Sequence, residues 1–101
     1  MNYYVDVILP LPLKGTFTYE LSQDEFNKLE IGFRVAVSFG KRKIYTGIVN
    51  ELHNNKPESY ETKPIEFIYD DKSLVSQNQI DFWNWLSRYY FVPIGDVMKA
   101  A

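Results

Sequence analysis

The stretch that most constrains the fold is residues 31–49, which read IGFRVAVSFGKRKIYTGIV. Phe33, Val35, Val37 and Phe39 alternate with Arg34, Ala36 and Ser38, the period of two expected of a strand with one buried face. After the turn residues Gly40-Lys41-Arg42-Lys43 a second apolar run begins at Ile44 and reaches Val49. Two strands joined in this way predict a hairpin, with Gly40 supplying the positive φ that such a connection needs. Its tip gathers a glycine and three adjacent cations. The tip reads either as a solubilising turn screened by water and salt, or as a place where an anion sits.

The rest of the chain supplies partners for that hairpin. Tyr3, Val5, Val7 and Leu9 alternate with Asn2, Tyr4, Asp6 and Ile8 and predict a first strand, which Pro10-Leu11-Pro12-Leu13 ends because proline has no amide donor for a ladder. Lys14-Gly15 turns the chain into TFTYEL, with Phe17, Tyr19 and Leu21 on one face and Thr16, Thr18 and Glu20 on the other. Ser22 and Glu25 have the spacing of a capping box and predict a helical turn through Phe26 and Leu29. Residues 50–61 are expected to form a polar loop, followed by a last strand carrying Ile65, Phe67 and Tyr69. Ser76 and Gln79 form a second capping-box pattern, and Ile80, Phe82, Trp83, Leu86, Tyr89 and Tyr90 recur at helical spacing. A helix this apolar is expected to lay one broad face on the sheet. Val92-Pro93 ends it, and Ile94-Gly95-Asp96-Val97-Met98 has the makings of a further helix close to residue 101.

The expected fold class is therefore mainly β (α+β): a small twisted or barrel-like antiparallel β domain with an aromatic-rich C-terminal helix packed on it. An oligonucleotide-binding (OB-like) barrel and an SH3-like barrel both satisfy the pattern. With 101 residues the chain is expected to form a single domain, 1–101, and its last residues read as cut from something longer.

Several chemistries are excluded by what the sequence lacks. There is no cysteine and a single histidine, His53, in the expected polar loop, so a zinc site is implausible. No phosphate-cradling glycine motif is present. The 13 acidic residues do not cluster as a metal box would, and Asp6, Asp70 and Asp71 show no evident partner. Such a chain is expected to bind something rather than to transform it. A net charge of −2 argues against coating of duplex DNA, so any nucleic-acid contact must be local. The cations available for it are Arg34, Lys41, Arg42, Lys43 and Lys63, with Lys14 nearby in a turn. Aromatic residues make up 17% of the chain, and they can thicken a small core or serve as stacking platforms for bases. Phe17 is open to both readings. The absence of cysteine fits a reducing, cytoplasmic setting, no apolar run reaches membrane-spanning length, and the first residues have no signal-peptide character.

Taken together, PLPLKGTFTYEL, GFRVAVSFGKRKIYTGIV, ETKPIEFI and WLSRYYFVPIGDVM resemble the N-terminal region of the primosomal protein N′ (PriA) family of bacterial replication-restart helicases, over about residues 3–98. The resemblance implies a 3′-end DNA-binding domain that captures the terminal nucleotide of the nascent leading strand at a stalled fork. Carried over by motif, the binding pocket falls on Phe17 and Thr18, on Gly40 and on Lys63. Thr18 is a departure: the family pattern has an aspartate there, and a threonine offers a hydrogen bond without the charge. Lys41, Arg42 and Lys43 are placed to hold the preceding phosphates. The resemblance also implies forked DNA, the helicase and zinc-binding regions of the same parent protein and other primosome proteins as partners. ATP and zinc are expected only in those other regions, with no cofactor, no membrane and no catalysis in this domain. The alternative is a protein-interaction β-barrel docking on helicase lobes or replisome proteins, suggested by the negative charge and the density of Tyr and Trp.

Overall fold

The computed structural model describes residues 2–13, 15–41, 43–58, 60–69 and 75–100. In chain order its elements are β1 (Tyr3–Ile8), β2 (Phe17–Leu21), α1 (Gln23–Lys28), β3 (Arg34–Ser38), β4 (Ile44–His53), β5 (Phe67–Ile68), α2 (Gln77–Tyr90) and α3 (Ile94–Ala100). Every strand pair is antiparallel, and the five-stranded sheet runs β2-β1-β4-β3-β5. The result is a half-barrel with helices following it, in keeping with a small, mainly β, OB-like domain.

The predicted hairpin is β3–β4. Arg34 pairs with Ile48 and Ser38 with Ile44, the Phe39 amide donates to the Lys43 carbonyl at 3.0 Å, and Gly40 has φ +72°. Arg42 and Lys14 lie outside the described residues, as do Asp70 and Asp71. Beyond Val49 the structure differs from expectation. β4 continues through Asn50, Glu51 and Leu52 to His53, because its far half pairs with β1 rather than with β3. The β1–β4 register jumps from Asp6↔Glu51 to Val7↔Val49, leaving Asn50 as an extra residue. A bulge of this kind bends the strand and sharpens its twist, which lets one long strand serve two neighbours in a curled sheet.

The last strand is shorter than predicted, reduced to Phe67 and Ile68 against Ala36 and Val35. The residues before it cross the open side of the half-barrel. The Glu20 amide of β2 donates to the Lys63 carbonyl at 2.9 Å, and the Glu66 amide donates to the Ala36 carbonyl of β3 at 2.8 Å. A parallel bridge joins Glu20 to Pro64. Residues 60–66 thus form a strap from one side of the sheet to the other.

Burial follows the pleat. Val5, Val7, Leu9, Tyr19, Leu21, Val35, Val37, Val49 and Ile65 form the main core inside the curl. Ile8, one residue past Val7 and so on the opposite face, joins Ile48, Ile80, Trp83 and Ile94 in a second cluster under the helices. The capping box of α1 is formed, Ser22 accepting from the Glu25 amide at 3.2 Å and donating its own amide to the Glu25 carboxylate at 2.8 Å. Ser76 caps α2, accepting from the Gln79 amide at 3.1 Å.

The expectation of a broad packed face on α2 is corrected: only Ile80 and Trp83 are buried. Phe82, Trp85 and Tyr89 face solvent and stack on one another, with centroids 6.2 and 5.0 Å apart. The helix ends at Phe91, which takes a left-handed conformation (φ 57°) just before Val92-Pro93. In α3, Gly95 is buried against the chain after β1. A methyl group there would lie 2.1 Å from the Leu9 carbonyl oxygen and 2.3 Å from that of Leu11. The missing side chain is what allows α3 to seat on the Pro10 turn. Among the described residues no helix is long and apolar enough to cross a membrane.

Candidate nucleic-acid interface

One concavity brings distant parts of the sequence together. It holds about 250 Å³ and is lined by Phe17, Thr18 and Tyr19 of β2, Ser38 at the end of β3, Phe39 and Gly40 of the hairpin tip, and Tyr60, Glu61 and Lys63 of the strap. Phe17, Thr18, Gly40 and Lys63, the positions carried over by motif, therefore share one pocket. Lys41 and Lys43 are exposed beside it without lining it, and Arg42 lies outside the described residues. Arg34 is elsewhere, its guanidinium 4.8 Å from the centre of the Tyr69 ring.

The local reasons for this gathering can be read residue by residue. Phe17 packs against the main core and meets Phe39 edge-to-face, centroids 4.7 Å apart at 66°, so the core reading of Phe17 holds while its ring also lines the pocket. Gly40 leaves the hairpin tip without a side chain where the pocket opens, and a Cβ there would meet nothing within 4 Å. What requires glycine is the φ of +72°. Lys63 is exposed, yet its carbonyl is tied to Glu20 on β2, so its backbone is fixed beside the cavity. The Glu61 carboxylate shares that wall and stands 3.9 Å from the Lys56 ammonium.

β2 is an outer strand of the sheet, so the Thr18 amide points away from β1 and needs another acceptor. The phenol oxygen of Tyr60 takes it, at 2.8 Å. The Thr18 hydroxyl is committed elsewhere, donating to Asp6 Oδ1 at 2.6 Å. That oxygen also lies 2.8 Å from His53 Nε2, and His53 Nδ1 accepts from the Asn55 amide at 3.0 Å. A ring nitrogen that accepts carries no proton, so the neutral ring holds its hydrogen on Nε2 and donates it to Asp6. His53, expected in a solvated loop, and Asp6, expected to have no partner, are instead a largely buried pair, their side chains 15% and 19% exposed.

Tyr19 donates its hydroxyl to the Ser38 carbonyl at 2.8 Å. Burial, and secondarily the charge that Tyr60 would carry, push its pKa up from 10.0 to about 12. Tyr19 therefore presents a neutral phenol to the pocket at neutral pH. The sequence pattern missed Tyr60, Tyr19, Ser38, Phe39 and Glu61 as pocket residues. For Tyr60 a signal existed: an aromatic ring set in an otherwise polar run, HNNKPESYE, needs a surface to lie on. Among the described residues no three His, Asp or Glu side chains gather as a metal site requires.

A half-barrel of antiparallel strands with an aromatic-walled, lysine-bearing pocket at its rim belongs to the class of small, OB-like β domains. The chain belongs to the family of 3′ DNA-binding domains (3′BD) of PriA, whose family model matches residues 6–101. It is 30% identical over 93 residues to the replication restart protein PriA of Buchnera aphidicola subsp. Acyrthosiphon pisum, covering 92% of this chain and 12% of that protein. The PriA of Buchnera aphidicola subsp. Schizaphis graminum is 29% identical over 93 residues, 92% of this chain and 13% of its own length. That of Treponema pallidum is 22% identical over 105 residues, 100% of this chain and 16% of its own length. The chain spans only 12 to 16% of the length of these relatives. It is, by that membership, a DNA-binding domain.

Proposed function

We propose that the domain captures the 3′ end of the nascent leading strand at a stalled replication fork. The terminal base stacks on Phe17, the backbone at Gly40 lets the nucleotide approach closely, and Lys63 faces its phosphate. Lys41, Arg42 and Lys43 at the hairpin tip hold the phosphates that precede it. The observation that carries this reading is the convergence of Phe17, Thr18, Gly40 and Lys63, from three separate parts of the chain, on one pocket of about 250 Å³. Capture of an end rather than a track agrees with the net charge of −2. Two phosphate contacts to a single strand would give a salt slope of only about −1.4. On this reading the domain needs no cofactor of its own. It works in the bacterial cytoplasm beside the helicase and zinc-binding regions of a parent protein, and with other primosome proteins.

The test is fluorescence anisotropy at low salt with a short single-stranded DNA carrying either a free 3′-hydroxyl or a 3′-phosphate. The free end should bind and the blocked end should bind at least several-fold more weakly, with Lys63→Ala weakening the free end. Equal, weak binding of both ends would reduce the cationic tip to a nonspecific contact. A second reading, protein docking, draws on the exposed ring stack of α2, for which the occupant proposed is the helicase region of the parent. The same titration separates the two, since a domain that only docks proteins binds neither oligonucleotide.

A further inference from the structure

We propose that Tyr60 is a base-contacting residue of the pocket, a second aromatic wall that the strap brings up beside Phe17. This rests on the end-capture reading above and adds a residue to it. Tyr60 belongs to a polar segment, yet its side chain reaches a strand 42 positions back in sequence and lines the same cavity as Phe17 and Phe39. The residue remains 43% exposed. It is held in place without being used up as core, which is the state of a ring that awaits a partner.

The hydroxyl adds a polar handle. It accepts the Thr18 amide at 2.8 Å, and a phenol that accepts still has its own hydrogen to give. Among the described residues no acceptor for that hydrogen is recorded. A base carbonyl or sugar oxygen in the pocket would take it, so Tyr60 offers a stacking face together with one donor. The hydrogen bond donated by the Thr18 amide fixes where the phenol sits before any ligand arrives, which reduces the ordering cost of binding.

A strap residue that merely braced the pocket would weaken every ligand alike, and the test uses that difference. Wild type, Tyr60→Ala, Tyr60→Phe and Phe17→Ala are titrated with a short single-stranded DNA bearing a normal 3′-terminal nucleotide. The titration is repeated with the same strand ending in an abasic deoxyribose with a free 3′-hydroxyl. Tyr60→Ala should lose about five-fold or more on the normal end and little on the abasic one. Tyr60→Phe, which keeps the ring and gives up the Thr18 contact while the backbone bonds at Lys63 and Glu66 still hold the strap, should lose about two- to ten-fold on the normal end. Loss by the same factor on both ends, or no loss with Tyr60→Ala, overturns the proposal. If wild type prefers the normal end and Phe17→Ala loses that preference while Tyr60→Ala keeps it in full, the inference fails alone. If wild type binds the two ends alike, the pocket reading fails and takes this inference with it.

Discussion

Tyr19 sits where core and pocket meet, and its ionisation reports on both. Its pKa is pushed from 10.0 up to about 12, first by burial. Below about pH 10 the phenol keeps its proton in folded and unfolded chains alike, and this contribution to stability is fully present. Between about pH 10 and 12 the unfolded chain releases its proton first, so stability falls as pH rises through that window. Urea midpoints measured from pH 8 to 11.5 should therefore be level and then decline, and Tyr19→Phe should flatten the decline. A decline equally steep in Tyr19→Phe would assign it to other groups. Other residue-level facts were out of reach of pattern. His53 and Asp6 are 47 positions apart, and they meet only because a bulge at Asn50 sets the β1–β4 register. Alternation along one strand carries no information about that.

Among the elements, the β3–β4 hairpin was the most legible, because alternation, a glycine and a polar tip all agreed there. α2 was legible as a helix but not in its orientation. Apolar residues at Phe82, Trp85 and Tyr89 make a helix look buried on several sides, whereas the fold uses only Ile80 and Trp83. α3 shows how a local choice of residue supports a distant contact. Gly95 seats the helix on the Leu9 and Leu11 carbonyls, so Gly95→Ala must push backbone against backbone. We expect a loss of about 1–3 kcal/mol, read as a lower urea midpoint with an unchanged slope. The Phe17 pocket lies elsewhere in the fold, so affinity for a 3′ end should change little. An unchanged midpoint would mean that α3 contributes nothing to the fold.

For the whole molecule, fold class was readable from residues alone, since strands separated by short turns and followed by helices leave few architectures. The pocket was not. Periodicity placed Phe17 in a core, and nothing local tied it to Gly40 or Lys63; only the likeness of several motifs at once joined them. The physical reason is that the pocket is made by closure of the half-barrel, through contacts such as Thr18 to Tyr60 and Glu20 to Lys63, and closure is a property of the assembled sheet.

The strap has a consequence that concerns neighbouring molecules. β2 is an outer strand, and a strand with bare amides invites pairing with another chain. Here the outward amides of Thr18 and Glu20 are both occupied, by the Tyr60 phenol and the Lys63 carbonyl. The segment that walls the pocket is also the guard on that border. Cutting the chain between residues 54 and 58 by limited proteolysis should therefore do more than spoil a binding site. Nicked protein should self-associate in a concentration-dependent way, visible by light scattering, while intact protein at the same concentration stays dispersed. A nicked sample as monodisperse as the intact one would show that the border is guarded by something else.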